Sequence, residues 1–311
     1  MTIDLLVLGD VNPDLVLHGG DVTPAFGQAE RIVDEARLTV GGSGAILACG
    51  AARLGLRVAI VGVVGDDLFG AFMRERLVER GVDVSGLVVD RELPTGLTVV
   101  LSGDTDRAIL TSLGTISALR APMVDREVLS SARHVHVSSF FLQRGLVPDL
   151  PELFAEAHAS GATTSVDPNW DPSGGWDGGL GDLLASVDVL MPNEMEATRL
   201  ARNSDVEIAI AVLRQHVTTV VVKAGDRGAV AVGPGERATA PAMRVAAVDT
   251  TGAGDSFDAG FLAATLGGES LERCLAIANA CGALSTRATG GVDAQPTMQE
   301  AIEAIERGGA G

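Results

Sequence analysis

The sequence predicts an α/β fold with a doubly wound, mostly parallel central sheet that is flanked by helices. About nine apolar, strand-like runs alternate with helical segments, as in parallel sheets built from strand–helix–strand units. Glycine-rich and polar clusters follow directly after these runs, and open α/β sheets bind ligands at the carboxyl ends of their strands. The chain has 311 residues, of which 46% are hydrophobic, so we expect one large core and a single domain over residues 1–311.

The net charge of the chain limits the kinds of molecule that it is expected to bind. Its net charge is −18, and among its 23 basic residues only Lys223 is a lysine. Nucleic acids need a basic protein face, so this balance argues against them as partners. The three cysteines are an odd number in apolar settings, which predicts a reducing compartment without disulfides. No basic leader opens the chain and no apolar run reaches about 18 residues, so we expect a cytoplasmic protein without a membrane segment.

The first predicted strand covers residues 3–9 and is followed by a polar cluster that contains Asn12 and Asp14. Both side chains lie where such sheets place ligands. Asn and Asp are also ordinary turn residues, so a purely structural role stays open.

A second glycine-rich segment, Gly41-Gly42-Ser43-Gly44-Ala45, opens a helix predicted over residues 46–54. Glycines before a helix N-terminus let a ligand approach the backbone closely. A tight hinge would use the same residues, and both interpretations stay open.

The strand predicted from residue 133 ends at Ser139, Phe140 and Phe141. His134 and His136 share one face of this strand, but no third ligand lies at a matching spacing, so packing is favoured over a metal site. The phenylalanine pair at the exit suits either the core or a ligand contact.

A strand over residues 187–191 leads through Pro192 into a helix that starts with Asn193 and Glu196 on one face. This spacing is that of a capping box, and it also suits two ligand-binding side chains. The strand over 218–222 delivers Lys223, and a lysine at a strand end suits a phosphate oxygen. A hairpin turn is the alternative there.

The most informative stretch is Val248–Phe257, which we expect to join a strand over 246–248 to a helix over 256–264. Its glycines let backbone amides converge, and the helix N-terminus adds partial positive charge, so the stretch predicts an anion site. Asp255 lies at the mouth of that site, where a carboxylate is unfavourable unless it has a task such as accepting a proton. The alternative for a lone motif is a helix N-cap.

Val248–Phe257 and Pro192–Ala197 resemble the motifs of the ribokinase-like (PfkB) carbohydrate and nucleoside kinases. The glycine pair at 41–42, with Ala52-Arg53-Leu54-Gly55 after it, is also similar to the family pattern. The resemblance extends over about residues 3–305.

The resemblance implies a ribokinase-like fold with a small β-sheet lid, formed by insertions at about 12–40 and 92–115. Within the second insertion, residues 97–101 and 108–111 are expected to form a hairpin through 102–104.

The resemblance also implies roles for individual residues. Asp255 would be the catalytic base, and the amides of Gly252, Ala253 and Gly254 would form the anion hole. The substrate would be bound by Asn12, Asp14, Gly41, Gly42, Ser43, Phe140 and Asp255. ATP would be bound by Asn193, Lys223, Gly225, Gly228, Thr250, Gly252, Gly254 and Asn279. Glu196 would hold Mg²⁺ through water, and Asp249 and Thr251 would contribute to a K⁺ site. For Asn279, which lies among small residues in a helix predicted over 271–287, close helix packing is the alternative.

One position departs from the family pattern. The family has Asn at the position of Ile46, where it contacts a substrate hydroxyl, and isoleucine cannot form that hydrogen bond. This favours a substrate with an apolar feature or a different set of hydroxyls over ribose.

Together these observations predict an ATP- and Mg²⁺-dependent kinase that phosphorylates a primary hydroxyl of a small sugar or sugar acid, with K⁺ activation and a homodimer through the lid as further expectations. A nucleoside kinase of the same family is the alternative substrate class. A non-catalytic sugar or nucleotide sensor would have no need of Asp255 and the anion hole. A dinucleotide-dependent oxidoreductase is disfavoured, because the first strand is not followed by Gly-x-Gly-x-x-Gly.

Overall fold

The fold is given by a computed structural model that describes residues 2–103 and 107–308. Its strands, in chain order, are β1 (Ile3–Leu8), β2 (Asn12–His18), β3 (Glu35–Gly41), β4 (Val58–Gly65), β5 (Leu87–Asp90), β6 (Leu97–Ser102), β7 (Arg107–Ser112), β8 (Ala132–Val137), β9 (Thr163–Val166), β10 (Val189–Leu190), β11 (Thr219–Lys223), β12 (Ala229–Gly233) and β13 (Glu236–Ala240).

Nine of these strands form the main sheet, in the order β13-β12-β11-β10-β9-β8-β1-β4-β5. All neighbours from β11 to β5 run parallel, whereas β12 and β13 are added antiparallel. The chain extends the sheet from β1 first toward β4 and β5 and then toward β8 and beyond. Such a reversal opens a crevice at the carboxyl ends of the strands.

Helices cover both faces of the main sheet. They are α1 (Ser43–Arg53), α2 (Leu68–Glu79), α3 (Arg126–Ser131), α4 (Leu150–Ala159), α5 (Leu180–Leu183), α6 (Glu194–Leu200), α7 (Val206–Leu213), α8 (Ala253–Leu266), α9 (Leu271–Ser285) and α10 (Met298–Gly308). Within the described part of the chain, no helix combines the length and the apolar character needed to cross a bilayer.

Strand β1 shows why its sequence is a continuous apolar run. Leu5 and Val7 belong to the core on the face covered by α1, α8 and α9, whereas Leu6 and Leu8 belong to the core on the opposite face. Successive side chains of a strand point to opposite faces, and a parallel sheet buries both of them.

The remaining four strands form the lid sheet, in the order β3-β2-β6-β7. They fall within the segments for which insertions are predicted, apart from the last residue of β3. The predicted hairpin is present as the antiparallel pair β6–β7. Asp104, in its predicted connection, lies outside the described residues.

One predicted strand is wrong. Residues 246–248 are not part of a sheet; instead the N–H groups of Val248 and Asp249 both donate to the Thr286 carbonyl just after α9. A short apolar run favours a strand only where a partner strand is available, and here the end of α9 supplies the acceptor.

Candidate active site

Asp249 organises the loop that precedes α8. Its Oδ1 accepts hydrogen bonds from the amide (2.9 Å) and hydroxyl (2.8 Å) of Thr251, and its Oδ2 accepts one from the Gly290 amide at 2.8 Å. These bonds fix the loop to the segment that follows α9. Residues 249–254, which include the first two residues of α8, are here called the anion loop, and its backbone is therefore shaped before any ligand binds.

Gly252 is the residue at which the anion loop turns into α8. Its φ of 71° lies in the left-handed region, and a Cβ at this position would lie 2.8 Å from Gly291 Cα and 2.9 Å from Ile46 Cγ2. Only glycine satisfies both constraints. The first amides of a helix have no intrahelical partner, so the start of α8 favours an anion. The Ala253 amide also donates to the Thr250 carbonyl, at 3.3 Å.

Asp255 lies in the first turn of α8 and is only 8% exposed. Burial, and next the negative charge of Asp167, raise the pKa of Asp255 to about 7, while Lys223 and a hydrogen bond from Ser43 act in the opposite direction. A carboxylate with a pKa near neutrality is suited to general base catalysis.

The glycine pair before α1 makes room for two polar side chains of β2. A Cβ on Gly41 would overlap the Asp14 carboxylate, and one on Gly42 would lie 2.9 Å from Asn12 Oδ1. Asn12 donates through Nδ2 to Thr98 Oγ1 of the lid at 3.2 Å. Its buried Oδ1 has no hydrogen-bond partner among the described residues. A ligand hydroxyl would satisfy this oxygen.

Asp10 is a site residue that the sequence interpretation missed. Its carboxylate accepts from the amides of Gly44 (2.9 Å) and Ser43 (3.1 Å) and from the Ser139 hydroxyl at 3.1 Å. It thus joins the exits of β1 and β8 to the start of α1. Its place in the polar cluster after β1 was the available signal, but the partners lie far along the chain.

The carboxylate of Asp14 interacts electrostatically with the lid residue Arg107. Burial, with the charges of Asp10, Asp255 and Asp249, raises the pKa of Asp14 to about 8, and Arg107 opposes this shift. Arg107 also donates to the hydroxyl of Thr250 at 3.2 Å. The sequence interpretation did not select Arg107, because its contact depends on how the lid folds over the sheet.

Asn193 and Glu196 form a capping box at the start of α6. Asn193 Oδ1 accepts from the Glu196 amide at 3.0 Å, and Glu196 Oε2 accepts from the Asn193 amide at 2.8 Å. Burial, and then the charge of Asp167, raise the pKa of Glu196 to about 7, although Lys223 opposes the shift. A nearby cation would stabilise the ionised form of this carboxylate.

Lys223 does not point into open solvent at the end of β11. Its ammonium donates to Asp167 Oδ2 at 2.7 Å and to Asp258 Oδ2 at 2.9 Å. It lies close to the anion loop, since a Cβ on Gly254 would be 3.8 Å from Lys223 Nζ. The sequence interpretation selects neither Asp167 nor Asp258 as a site residue.

Of three other predicted site residues, Asn279 and Gly228 have structural contacts with the end of β13, and a Cβ on Gly225 would have none. The Asn279 amide donates to the carbonyls of Ala240 (3.0 Å) and Pro241 (3.1 Å) and so holds the end of β13. A Cβ on Gly228 would overlap the Ala240 carbonyl, whereas the space around Gly225 is open.

Phe140 is predicted to contact the substrate, but the structure places it in the core. Its side chain is fully buried in the core on the face opposite α8, with its ring edge-on to Phe141 at a centroid distance of 5.3 Å. Aromatic residues are rare in this chain, which favours a function for Phe140, but its packing in the core explains why the residue is there. His134 and His136 are also buried, bonded to Thr163 and Ser165, as the favoured packing interpretation expects.

The predicted residues of the acceptor and phosphate regions therefore lie on the lid strand β2 and at the carboxyl edge of the main sheet. The contributing positions are Asn12, Asp14, Gly41, Gly42, Ser43, Asn193, Glu196, Lys223, Asp249, Thr250, Thr251, Gly252, Ala253, Gly254 and Asp255. Among the described residues, no group of three or more His, Cys, Asp or Glu side chains forms a metal-binding cluster.

Comparison with known proteins matches this chain to the family described as pfkB family carbohydrate kinase, over residues 2–298. An ATP-dependent ribose-1-phosphate kinase from Halopiger xanaduensis is 34% identical over 285 residues, covering 91% of this chain and 92% of that protein.

Two solved structures are similar over nearly the whole chain. A candidate ribokinase II from E. coli, in complex with ATP and Mg²⁺, has a TM-score of 0.87 at 29% identity and covers 98% of this chain and 99% of its own. A ribokinase from Arabidopsis thaliana, complexed with ribose and ATP, has a TM-score of 0.85 at 26% identity with the same coverage. These similarities confirm the predicted fold class, with its mostly parallel main sheet and its smaller lid sheet.

Proposed function

Since the chain belongs to the pfkB family of carbohydrate kinases, we propose that it transfers the γ-phosphoryl group of ATP to a primary hydroxyl of a small sugar or sugar acid, with Asp255 as the base. The predicted family and enzyme class are confirmed by this membership. The environment of Asp255 supports its assignment as the base best. It is a buried carboxylate with a pKa near 7 in the first turn of a helix whose N-terminus opens onto the anion loop.

In the proposed reaction the acceptor oxygen attacks the γ-phosphorus, its proton passes to Asp255, and ADP leaves. Charge on the transferred group would be stabilised by the amides at the start of α8, mainly those of Gly252 and Gly254, because the Ala253 amide already has an acceptor. Most of the catalysis is then positioning and electrostatic stabilisation. Lys223 would add positive potential beneath the phosphates while it remains bonded to its two carboxylates.

ATP and Mg²⁺ fit the phosphate side of the crevice. Glu196 would hold the hydrated ion, which would supply charge neutralisation for the phosphates, and the adjacent Asn193 would contact phosphate oxygens. The nucleotide would lie along the segment from Gly225 to Gly228 and toward Asn279. Asp249 and Thr251 would contribute oxygens to a K⁺ site beside the anion loop.

The acceptor would bind between β2 and the start of α1. The unpartnered Asn12 Oδ1 supports a hydroxyl donor there, with Asp14, Gly41, Gly42 and Ser43 around it. Ile46 presents an apolar side chain where the family has Asn, so the acceptor's hydroxyl pattern should differ from that of ribose. A nucleoside remains the alternative acceptor, and a sugar or nucleotide sensor remains the alternative of another class.

The lid supports a proposal about assembly. Every residue of β7 is exposed, and this strand is an edge of the lid sheet. Exposed sheet edges need to be covered. We propose that a second copy of the chain pairs with the lid.

The test is ADP release from MgATP with a panel of sugars, sugar acids and nucleosides, each with and without K⁺. We expect turnover with one acceptor class. Asp255→Asn should reduce kcat at least about 10²-fold, as expected for the loss of a general base. Asp182→Asn, at an exposed position on α5, is the matched control and should keep wild-type activity. A retained rate in Asp255→Asn would rule out the base assignment, and ATP binding without turnover on any acceptor would favour the sensor.

A further inference from the structure

Three ionisable side chains beneath the anion loop form a buried cluster, in which Lys223 is bonded to two carboxylates. Lys223, at the end of β11, bonds Asp167 at 2.7 Å and Asp258 at 2.9 Å, and the two carboxylate side chains are 3% and 0% exposed. Burying charges is strongly unfavourable unless they are paired. The chain has no other lysine, so this buried position is the single place where a compact ammonium is used instead of a guanidinium.

The cluster connects three elements whose relative positions matter for the reaction. Asp167 follows β9, Lys223 ends β11, and Asp258 lies on α8 three residues after Asp255. Residues three apart lie on the same face of a helix. A bond at Asp258 therefore fixes the first turn of α8, which carries both the base and the anion-loop amides.

We propose that Lys223, Asp167 and Asp258 are positioning residues that lock the N-terminus of α8 to the sheet edge and set the electrostatic potential at Asp255. This inference rests on the proposed function of Asp255.

The charge state of the cluster follows from its burial. Asp258 Oδ1 is buried and lacks a hydrogen-bond partner among the described residues. Burial raises the pKa of Asp258 well above its usual range, and Asp167 adds to the shift while Lys223 opposes it. Burial also disfavours ionisation of Asp167, but the ammonium of Lys223 and its hydrogen bonds keep its pKa below the usual value. The opposite directions of these two shifts favour Asp258 as the protonated carboxyl, and with Lys223 charged and Asp167 ionised the cluster would be neutral overall.

Several other groups influence the pKa of Asp255, and none of them is changed in the variants described below. Asp10, after β1, raises its pKa, Ser43 at the start of α1 lowers it by hydrogen bonding, and Asp14 on β2 is close enough to interact with it. The lid residue Arg107 interacts with Asp14. Among these influences, only those of Asp167 and Lys223 change when the cluster is altered.

Two variants should shift the pH profile in opposite directions. Lys223→Met leaves the Asp167 charge uncompensated, so the pKa of Asp255 rises. Because Asp255 acts in its ionised form, the acid limb of kcat/KM moves to higher pH, by roughly one unit for a nearby charge. Asp167→Asn/Asp258→Asn removes both carboxylates that can balance the Lys223 charge, so the pKa of Asp255 falls and the limb moves to lower pH.

Two further variants serve as controls. The double variant Lys223→Met/Asp167→Asn restores neutrality, and its acid limb should return toward that of the wild type even if kcat stays low. Asp258→Asn replaces a neutral acid with a neutral amide of the same shape and should leave the limb in place.

The experiment compares kcat/KM between pH 5 and pH 9 with the acceptor that the wild type phosphorylates. The titration of Asp255 is followed in parallel by ¹³C-carboxyl NMR and assigned with Asp255→Asn. Opposite shifts in Lys223→Met and Asp167→Asn/Asp258→Asn, seen by both readouts, would support the proposal. Unchanged limbs in active forms of these two variants would overturn it, as would shifts in the same direction. If Lys223→Met does not fold, Asp167→Asn/Asp258→Asn alone still decides, because a limb that does not move to lower pH contradicts the proposal. Absence of wild-type turnover would instead contradict the proposed function.

Discussion

Individual carboxylates in the crevice differ mainly in which groups donate hydrogen bonds to them and which charges lie near them. Asp249 has both oxygens satisfied by amides and a hydroxyl and shapes the anion loop. Asp255 and Glu196 are buried with pKa values near 7, so each needs an external positive charge to be fully ionised at neutral pH. The sequence could locate these residues by motif, but their ionisation depends on burial, which a sequence does not give.

Glu196 permits a substitution that separates its structural role from its metal role. Glu196→Gln keeps the bond from the Asn193 amide that completes the capping box, but it removes the negative charge and the acceptor for Asn193 Nδ2. We expect a several-fold higher Mg²⁺ concentration for half-maximal activity, with an unfolding midpoint in urea between those of the wild type and Glu196→Ala. Glu196→Ala, which also breaks the cap, should lose about 1 kcal/mol of stability in addition. Unchanged Mg²⁺ dependence in Glu196→Gln would remove Glu196 from the metal site.

At the scale of elements, the start of α8 depends on a backbone conformation. Gly252 combines a positive φ with close contacts to Gly291 and Ile46, whereas Gly254, two residues later, has open space out to Lys223. The packing of Ile46 against Gly252 and Gly291 gives this residue a structural role under the anion loop. The sequence identified the glycines, but not which of them the fold strictly requires.

These two glycines make a matched pair of variants. Gly252→Ala should destabilise the protein by on the order of 1–3 kcal/mol from backbone strain, and more from the clash, because its Cβ meets the backbone of Gly291. Gly254→Ala should leave the free energy of unfolding unchanged or raise it by up to about 1 kcal/mol, since alanine is the better helix former. Urea unfolding of the ligand-free protein measures both. Equal stabilities would show that the conformation at Gly252 is not required.

At the scale of the whole molecule, the lid leaves an apolar surface open to solvent. Ile109 and Leu110 on β7 are 54% and 60% exposed, at an edge of the lid sheet. A protein of net charge −18 resists nonspecific association, so a contact between two copies must be specific. The lid edge offers both backbone hydrogen bonds and apolar side chains for it.

If two copies pair through the lid, a single charge introduced on β7 should disrupt the dimer. Sedimentation velocity at micromolar concentration should show a dimer for the wild type and a monomer for Leu110→Asp. Ile208→Asp is the matched control, because Ile208 is 48% exposed on α7, which packs on β11 of the main sheet, and this variant should remain dimeric. A monomeric wild type, or a dimeric Leu110→Asp, would contradict pairing through β7.

The sequence by itself determined the fold class, the family and the position of the anion loop, because strand and helix periodicity and the 249–257 motif are local properties of the chain. The tertiary structure decided which distant side chains meet. Lys223 binds Asp167 and Asp258, which are 56 and 35 residues away, only because β9, β11 and α8 meet at one edge of the sheet. It likewise placed Phe140 in the core and took residues 246–248 out of the sheet. Burial and pairing across the fold set the charge of each group, and neither is encoded in local spacing.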